Sequence, residues 1–182
     1  MRVISGHLRG LKLTSPSGLH TRPTLDRVKE AVFSMLMPYI SDSTVLDLFA
    51  GSGSIGIEAL SRGAQSAVFV DNLTESINCI KKNIDCAKLT DKSLIIKSDA
   101  INFLKNCTDR FDLIFIDPPY ANGLYKETLE WITKNDLLSP EGLIVLEWDY
   151  EIGFSDDLCG FQVFKDKKYG RVGITVLKRG LT

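Results

Sequence analysis

Apolar and polar positions alternate along this chain on two periods. Short, nearly continuous runs of Val, Ile, Leu and Phe occupy Thr44 to Phe49, Ser66 to Asp71, Ser93 to Lys97, Asp112 to Asp117 and Gly142 to Trp148. Runs of this length with β-branched and aromatic residues predict strands, and their lack of polar alternation predicts strands covered on both faces. Between them, Ser54 to Arg62, Thr74 to Lys88, Ala100 to Asn106 and Leu124 to Asn135 carry helical spacing, each starting near a residue able to cap free amides. Strand and helix in alternation predict a parallel α/β sheet. Two further β-rich runs, Phe161 to Lys165 and Val172 to Lys178, flank Lys168-Tyr169-Gly170-Arg171 and predict a closing antiparallel hairpin.

The chain before the first core strand reads differently. Arg2 to Ser5 and Lys12 to Thr14, around Gly6 and Gly10, suggest a short hairpin, and a helix from about Thr24 to Met37 should stop at Pro38. Residues 1–40 are expected to be an extension packed on a domain of residues 41–182, with a single compact domain as the outcome. Terminal segments often order only on docking, so residues 1–24 are expected to be mobile without a ligand.

Composition adds limits. Among 182 residues, 44% are hydrophobic and 25% charged, which fits a globular chain large enough to need neither disulfide nor structural metal. Cys79, Cys86, Cys107 and Cys159 form no C-x-x-C pair and have only His7 and His20 as possible companions, so reduced packing cysteines and no metal are expected. The N-terminus lacks a signal-peptide core and no run approaches the length that spans a bilayer, which predicts a cytoplasmic protein without membrane contact. Net charge is −1, but residues 1–30 carry +4 and residues 165–182 carry +5, leaving −10 for the body. Two basic ends on an acidic body could present one positive face to phosphates; two unrelated solvated ends would look the same.

Chemistry enters at the strand ends. Gly51-Ser52-Gly53-Ser54-Ile55-Gly56 is a G-x-G-x-x-G between a strand and a helix, and Asp71 follows Gly51 by 20 residues at the next strand's end, where an acid can bind ribose hydroxyls. This much would serve a nicotinamide dinucleotide. Asp47, inside Val45-Leu46-Asp47-Leu48-Phe49, separates the readings: its carboxylate would repel a pyrophosphate but could hold the ammonium group of S-adenosylmethionine, unless it only caps the glycine loop. Asp99, beside Ala100, could accept from an adenine amine, cap a helix, or do both.

Asp117-Pro118-Pro119-Tyr120 ends the fourth strand, and its two prolines make a rigid turn with free carbonyls. An exocyclic amine is a poor nucleophile because its lone pair is delocalised into the base. The Asp117 carboxylate and the Pro118 carbonyl could hold its two hydrogens and aim its nitrogen at a sulfonium methyl, while Tyr120 stacks on the base. The pattern predicts S-adenosylmethionine-dependent methylation of a base amine. The rivals are a nicotinamide-dependent oxidoreductase, which leaves Asp47 and the Asp117 turn without purpose, and a non-catalytic RNA-binding assembly module.

The flanks narrow this. Arg2-Val3-Ile4-Ser5-Gly6, Thr21-Arg22-Pro23-Thr24 with Asp26-Arg27-Val28-Lys29-Glu30-Ala31, the stretch Glu58-Ala59-Leu60-Ser61-Arg62-Gly63-Ala64, and Lys168-Tyr169-Gly170 before a last strand resemble the RsmD family of bacterial 16S rRNA guanine-N2 methyltransferases over essentially the whole chain. The resemblance implies a Rossmann-like class I methyltransferase fold with a seven-stranded, mostly parallel sheet. It also implies S-adenosylmethionine as donor and one guanine of 16S rRNA as target, within an assembling small subunit, by a monomer. By position it places Asp47, Gly51, Gly53, Asp71, Asp99 and Ala100 at the cofactor and Asp117, Pro118, Pro119 and Tyr120 at the reacting base, with Arg22 and Thr24 as candidates for contacting the substrate or for ordering the site. Asp71 stands where the family carries glutamate, and Arg171 where an acidic residue is common. DNA adenine-N6 methylation is the alternative, since the same turn can hold either amine.

Overall fold

A computed structural model describes residues 1–16, 23–118, 124–151 and 157–180. Helix α1 (Pro23–Ile40) precedes β1 (Thr44–Asp47), α2 (Ser54–Ser61), β2 (Ser66–Asp71), α3 (Thr74–Ala87), β3 (Ser93–Lys97), α4 (Ala100–Asn106), β4 (Phe111–Ile116), α5 (Leu124–Lys134), β5 (Leu138–Asp149), β6 (Phe161–Tyr169) and β7 (Val172–Arg179). The seven strands form one sheet in the order β3-β2-β1-β4-β5-β7-β6. Strands β1 to β5 run parallel, and β7 lies antiparallel between β5 and β6. This is the parallel α/β sheet that the alternating runs predict, in the Rossmann-like arrangement that the family resemblance implies.

Strand alternation sorts the core into two layers. Val45, Ala67, Phe69, Leu113, Phe115, Leu143 and Val145 pack with Val28, Val32, Phe33, Leu36 and Ile40 of α1, and with Ile57, Ile77, Ile80 and Ile84 of α2 and α3. The neighbours Leu46, Val70, Ile114, Ile116, Ile144 and Leu146 face Ile101, Leu104, Leu129 and Ile132 of α4 and α5. Helices α2 and α3 cover one face because the chain steps from β1 toward β3; α4 and α5 cover the other because it then returns to β4 and steps toward β5. The direction reverses between β1 and β4, and a crevice opens there at the strands' C-terminal ends.

Two expectations need correction. Helix α1 runs through Pro38 to Ile40 rather than stopping before it. A proline costs the helix one backbone bond and crowds the preceding turn, but Leu36 and Ile40, both buried, anchor the last turn on the core. Residues 1–16 are not an arm waiting for a ligand: Arg2 and Lys12 form an antiparallel bridge and Val3 and Leu13 are buried in the same core layer as α1.

Glu58 explains that docking. Its carboxylate, fully buried on α2, accepts from the Ile4 amide at 2.8 Å and the Ser5 amide at 2.9 Å, and pairs with Lys29 of α1 at 3.3 Å and Arg62 at 2.8 Å. Burial pulls the Lys29 ammonium below its usual range even with Glu58 beside it. Gly6, at φ +84°, rests on the end of α2 so closely that a Cβ would stand 1.9 Å from the Ser61 carbonyl oxygen.

Candidate active site

The crevice between β1 and β4 gathers most of the residues that the sequence singles out. After β1 the chain turns through Gly51 (φ +55°) and Gly53 (φ +77°), left-handed conformations that glycine adopts without a Cβ penalty. The Gly53 amide donates to the Ala50 carbonyl at 2.6 Å, and the Ala50 amide donates to Val70 of β2 at 3.0 Å. Gly56 is glycine for packing: a Cβ there would meet the Phe69 ring at 2.3 Å, so α2 can lie directly on β2.

Two carboxylates bond to this loop, and a third stands after β3, at the start of α4. Asp47, at the end of β1 and 4% exposed, accepts the Gly56 amide on Oδ2 at 3.0 Å. It therefore does cap the loop, but one amide does not balance a buried charge. Burial, with the negative charges of Asp117 and Asp71 nearby, raises its carboxyl to about 7. Asp71 accepts the Gly51 amide at 2.9 Å on Oδ2 and the Leu73 amide at 2.9 Å on Oδ1, which ties the glycine loop to the end of β2. Asp99 is the N-cap of α4, accepting the Asn102 amide at 3.1 Å on Oδ1, with Ala100 opening the helix. Each of these three acids has lone pairs beyond the bonds described.

Asp117 follows the last residue of β4, one strand over from Asp47. The residue is exposed, yet the protein packed around it withdraws solvent from its carboxyl and raises it. Pro118 is buried behind it. Pro119, Tyr120 and Arg22 lie outside the described residues; Thr24 falls in the first turn of α1, with its side chain outside them too.

Sequence reasoning missed Glu147. Because Ile116 pairs with Leu146, Asp117 leaves the end of β4 next to Glu147, while β5 runs on to Asp149. Burial and the Asp117 charge raise the Glu147 carboxyl, and burial, with Asp117, Glu147 and Asp149 nearby, raises the phenol of Tyr125, which donates to the Glu147 carbonyl at 2.7 Å. The available signal was a lone acid in the apolar run of β5. Arg171, whose role the sequence left open, pairs with Glu151 at 3.0 Å and Asp149 at 3.5 Å.

Among the described residues, no basic side chain pairs with Asp47 or Asp117. Acids with spare lone pairs at the loop and at successive strand ends repel a pyrophosphate and accept a ligand carrying an ammonium, ribose hydroxyls and an aromatic amine. The donor set thus fits S-adenosylmethionine, and it fits a dinucleotide poorly.

Comparison with known proteins agrees with the fold. Residues 1–178 match the model of a family described as Conserved hypothetical protein 95. YlbH of Bacillus subtilis, named as an rRNA methyltransferase of inferred function, is 38% identical over 182 residues, covering 98% of this chain and 99% of the relative. Ribosomal RNA small subunit methyltransferase D of Escherichia coli K12 is 35% identical over 179 residues, covering 98% and 90%. A solved Escherichia coli chain superimposes with a TM-score of 0.89 at 32% identity, covering 100% of this chain and 99% of that one. The 16S rRNA N2 G1207 methyltransferase of Thermus thermophilus, solved with AdoMet and guanosine, shares the fold at a TM-score of 0.69 and 23% identity, over 90% of this chain and 44% of that one.

Proposed function

We propose, given that the chain belongs to the Conserved hypothetical protein 95 family and is 35% identical to the small-subunit rRNA methyltransferase D of Escherichia coli over 98% of its own length, that it methylates the N2 amine of a guanine in 16S rRNA with S-adenosylmethionine as donor. The observation that carries this reading is the crevice itself: Asp47 and Asp71 bonded to a left-handed glycine loop and Asp99 at the start of α4, with Asp117 one strand away from Asp47. The substrate would be rRNA in an assembling small subunit, met in the cytoplasm by a monomer. No described helix is long and apolar enough to cross a membrane.

The cofactor, when bound, supplies a methyl group on a sulfonium that leaves as a neutral thioether. Asp47 holds its ammonium group, Asp71 accepts from its ribose hydroxyls, and Asp99 accepts from its adenine amine. Asp117 accepts one hydrogen of the guanine amine and the Pro118 carbonyl the other, fixing the nitrogen for attack. Positioning of this kind substitutes for the weak nucleophilicity of the amine. As the N–C bond forms, the nitrogen loses a proton to the Asp117 carboxylate, whose raised affinity for protons suits the task.

The test is transfer of labelled methyl from S-adenosylmethionine to free 16S rRNA and to small-subunit particles, followed by nucleoside mass spectrometry. N2-methylguanosine from the wild type and none from Asp117→Ala is the expected result. No label in rRNA, or N6-methyladenine in DNA, refutes the assignment.

A further inference from the structure

One buried amide joins the glycine loop to the N-terminal hairpin. Asn83 lies on α3 and is 2% exposed. Its Nδ2 donates to the Ser52 carbonyl of the glycine loop at 2.8 Å and to the Thr14 carbonyl at 2.8 Å, while its Oδ1 accepts the Thr14 amide at 2.8 Å. The peptide between Ser52 and Gly53 is thereby held at both ends, its carbonyl by Asn83 and its amide by Ala50. Other contacts follow the same route: Cys79 Sγ donates to the Thr14 carbonyl at 2.9 Å, and the Ser52 hydroxyl meets Met1 Sδ at 3.3 Å.

The hairpin that Asn83 holds is basic on its outside, with Arg9 and Lys12 exposed. Exposed cations on an arm fastened to the cofactor loop are suited to phosphates of a strand lying across the crevice. We propose that Asn83 is a positioning residue that couples the cofactor loop to a phosphate-contacting N-terminal hairpin, so that cofactor and rRNA strengthen each other's binding. The inference rests on the function proposed above. Only an amide offers two donors and one acceptor here; Asp in its place keeps the shape, loses both donors and sets a charge against two carbonyls. Coupling of this kind is reciprocal: whatever the cofactor does to the hairpin, RNA on the hairpin does to the cofactor.

The experiment combines calorimetry of S-adenosylmethionine binding, hydrogen exchange of residues 8–16, and steady-state kinetics with rRNA. In the wild type the cofactor should slow exchange in residues 8–16. Asn83→Asp should weaken cofactor binding at least tenfold and abolish that protection. Thr14→Pro removes the amide that Asn83 accepts and leaves the Ser52 bond. It should bind cofactor within threefold of wild type, lose the protection, and raise the KM for rRNA at least fivefold at unchanged kcat. Ser61→Ala is the control for general loosening, because it removes hairpin bonds at Leu8 and Ser5 far from Ser52; its cofactor affinity should stay within twofold. Asn83→Asp binding within twofold of wild type, cofactor-independent exchange in the wild type, or equal losses in Asn83→Asp and Ser61→Ala would each overturn the inference while leaving the methyltransferase reading intact. A wild type that binds no S-adenosylmethionine would overturn both.

Discussion

Binding of S-adenosylmethionine should release a proton from Asp47. In the empty protein its carboxyl is raised to about 7, chiefly by burial. A raised acid costs stability that is absent below its unfolded pKa of about 4, grows as pH rises, and is fully present above about 7. The ammonium of a bound cofactor reverses this cost by favouring the carboxylate, so a protonated Asp47 must ionise for the cofactor to bind. At pH 6 a group titrating near 7 is about 90% protonated, and close to one proton should leave per cofactor bound. If only the ionised form binds, Kd should weaken about 16-fold between pH 7 and pH 5.5, a range in which an amino group of ordinary pKa stays charged. Calorimetry at pH 6 in buffers of differing ionisation enthalpy counts the protons, and a Kd series across the range gives the slope. Asp47→Asn should bind more weakly at pH 7 by about tenfold or more, as expected for loss of a charge-assisted hydrogen bond, and should release no proton. A Kd constant within twofold from pH 5.5 to 7, or undiminished proton release by Asp47→Asn, would refute the role given to this acid.

Three further outcomes follow from the geometry. Asp117→Asn keeps an acceptor oxygen but not a base, so kcat for rRNA methylation should fall by about 10²-fold or more, while S-adenosylmethionine affinity, read by calorimetry, stays within threefold. Glu58→Gln leaves Lys29 and Arg62 buried without their counter-charge, and urea unfolding should show a loss of about 3–5 kcal/mol; a loss under 1 kcal/mol would show that the pairs are not held as described. Gly56→Ala drives a methyl into Phe69 and should cost about 1–3 kcal/mol, partly recovered by Phe69→Leu in the same chain, with thermal unfolding as the measure.

The parallel strands were legible because their runs are apolar on both faces, and the places of Asp71 and Asp99 were legible because each acid follows an apolar run, where the structure has them accepting the Gly51 and Asn102 amides. β5 was harder. It begins at Leu138, before Pro140 and Gly142, and its pairing with β4 shifts between Phe111 and Leu113, so its first residues lack the continuous apolar pattern. The path through Pro38 depended on tertiary packing of Ile40 that no local signal carries. Glu58 and Asn83 read as ordinary helix residues, because their importance comes from backbone groups more than 30 residues distant in sequence. Glu147 was hidden in the same way: its neighbour Asp117 is placed beside it only by strand order. Local pattern records what a residue needs from water; these three record what it receives from remote chain.

The position of β7 has a consequence for biosynthesis. This strand inserts between β5 and β6, and among the described residues β6 pairs with no other strand. While the chain emerges from the ribosome, β1 to β5 can assemble with their helices, but Phe161–Tyr169 has no partner and β5 keeps an open edge until Val172–Arg179 arrives. A stop after residue 171 would therefore remove two strands from the sheet rather than one, and the nascent protein carries an adhesive flank until β7 has emerged.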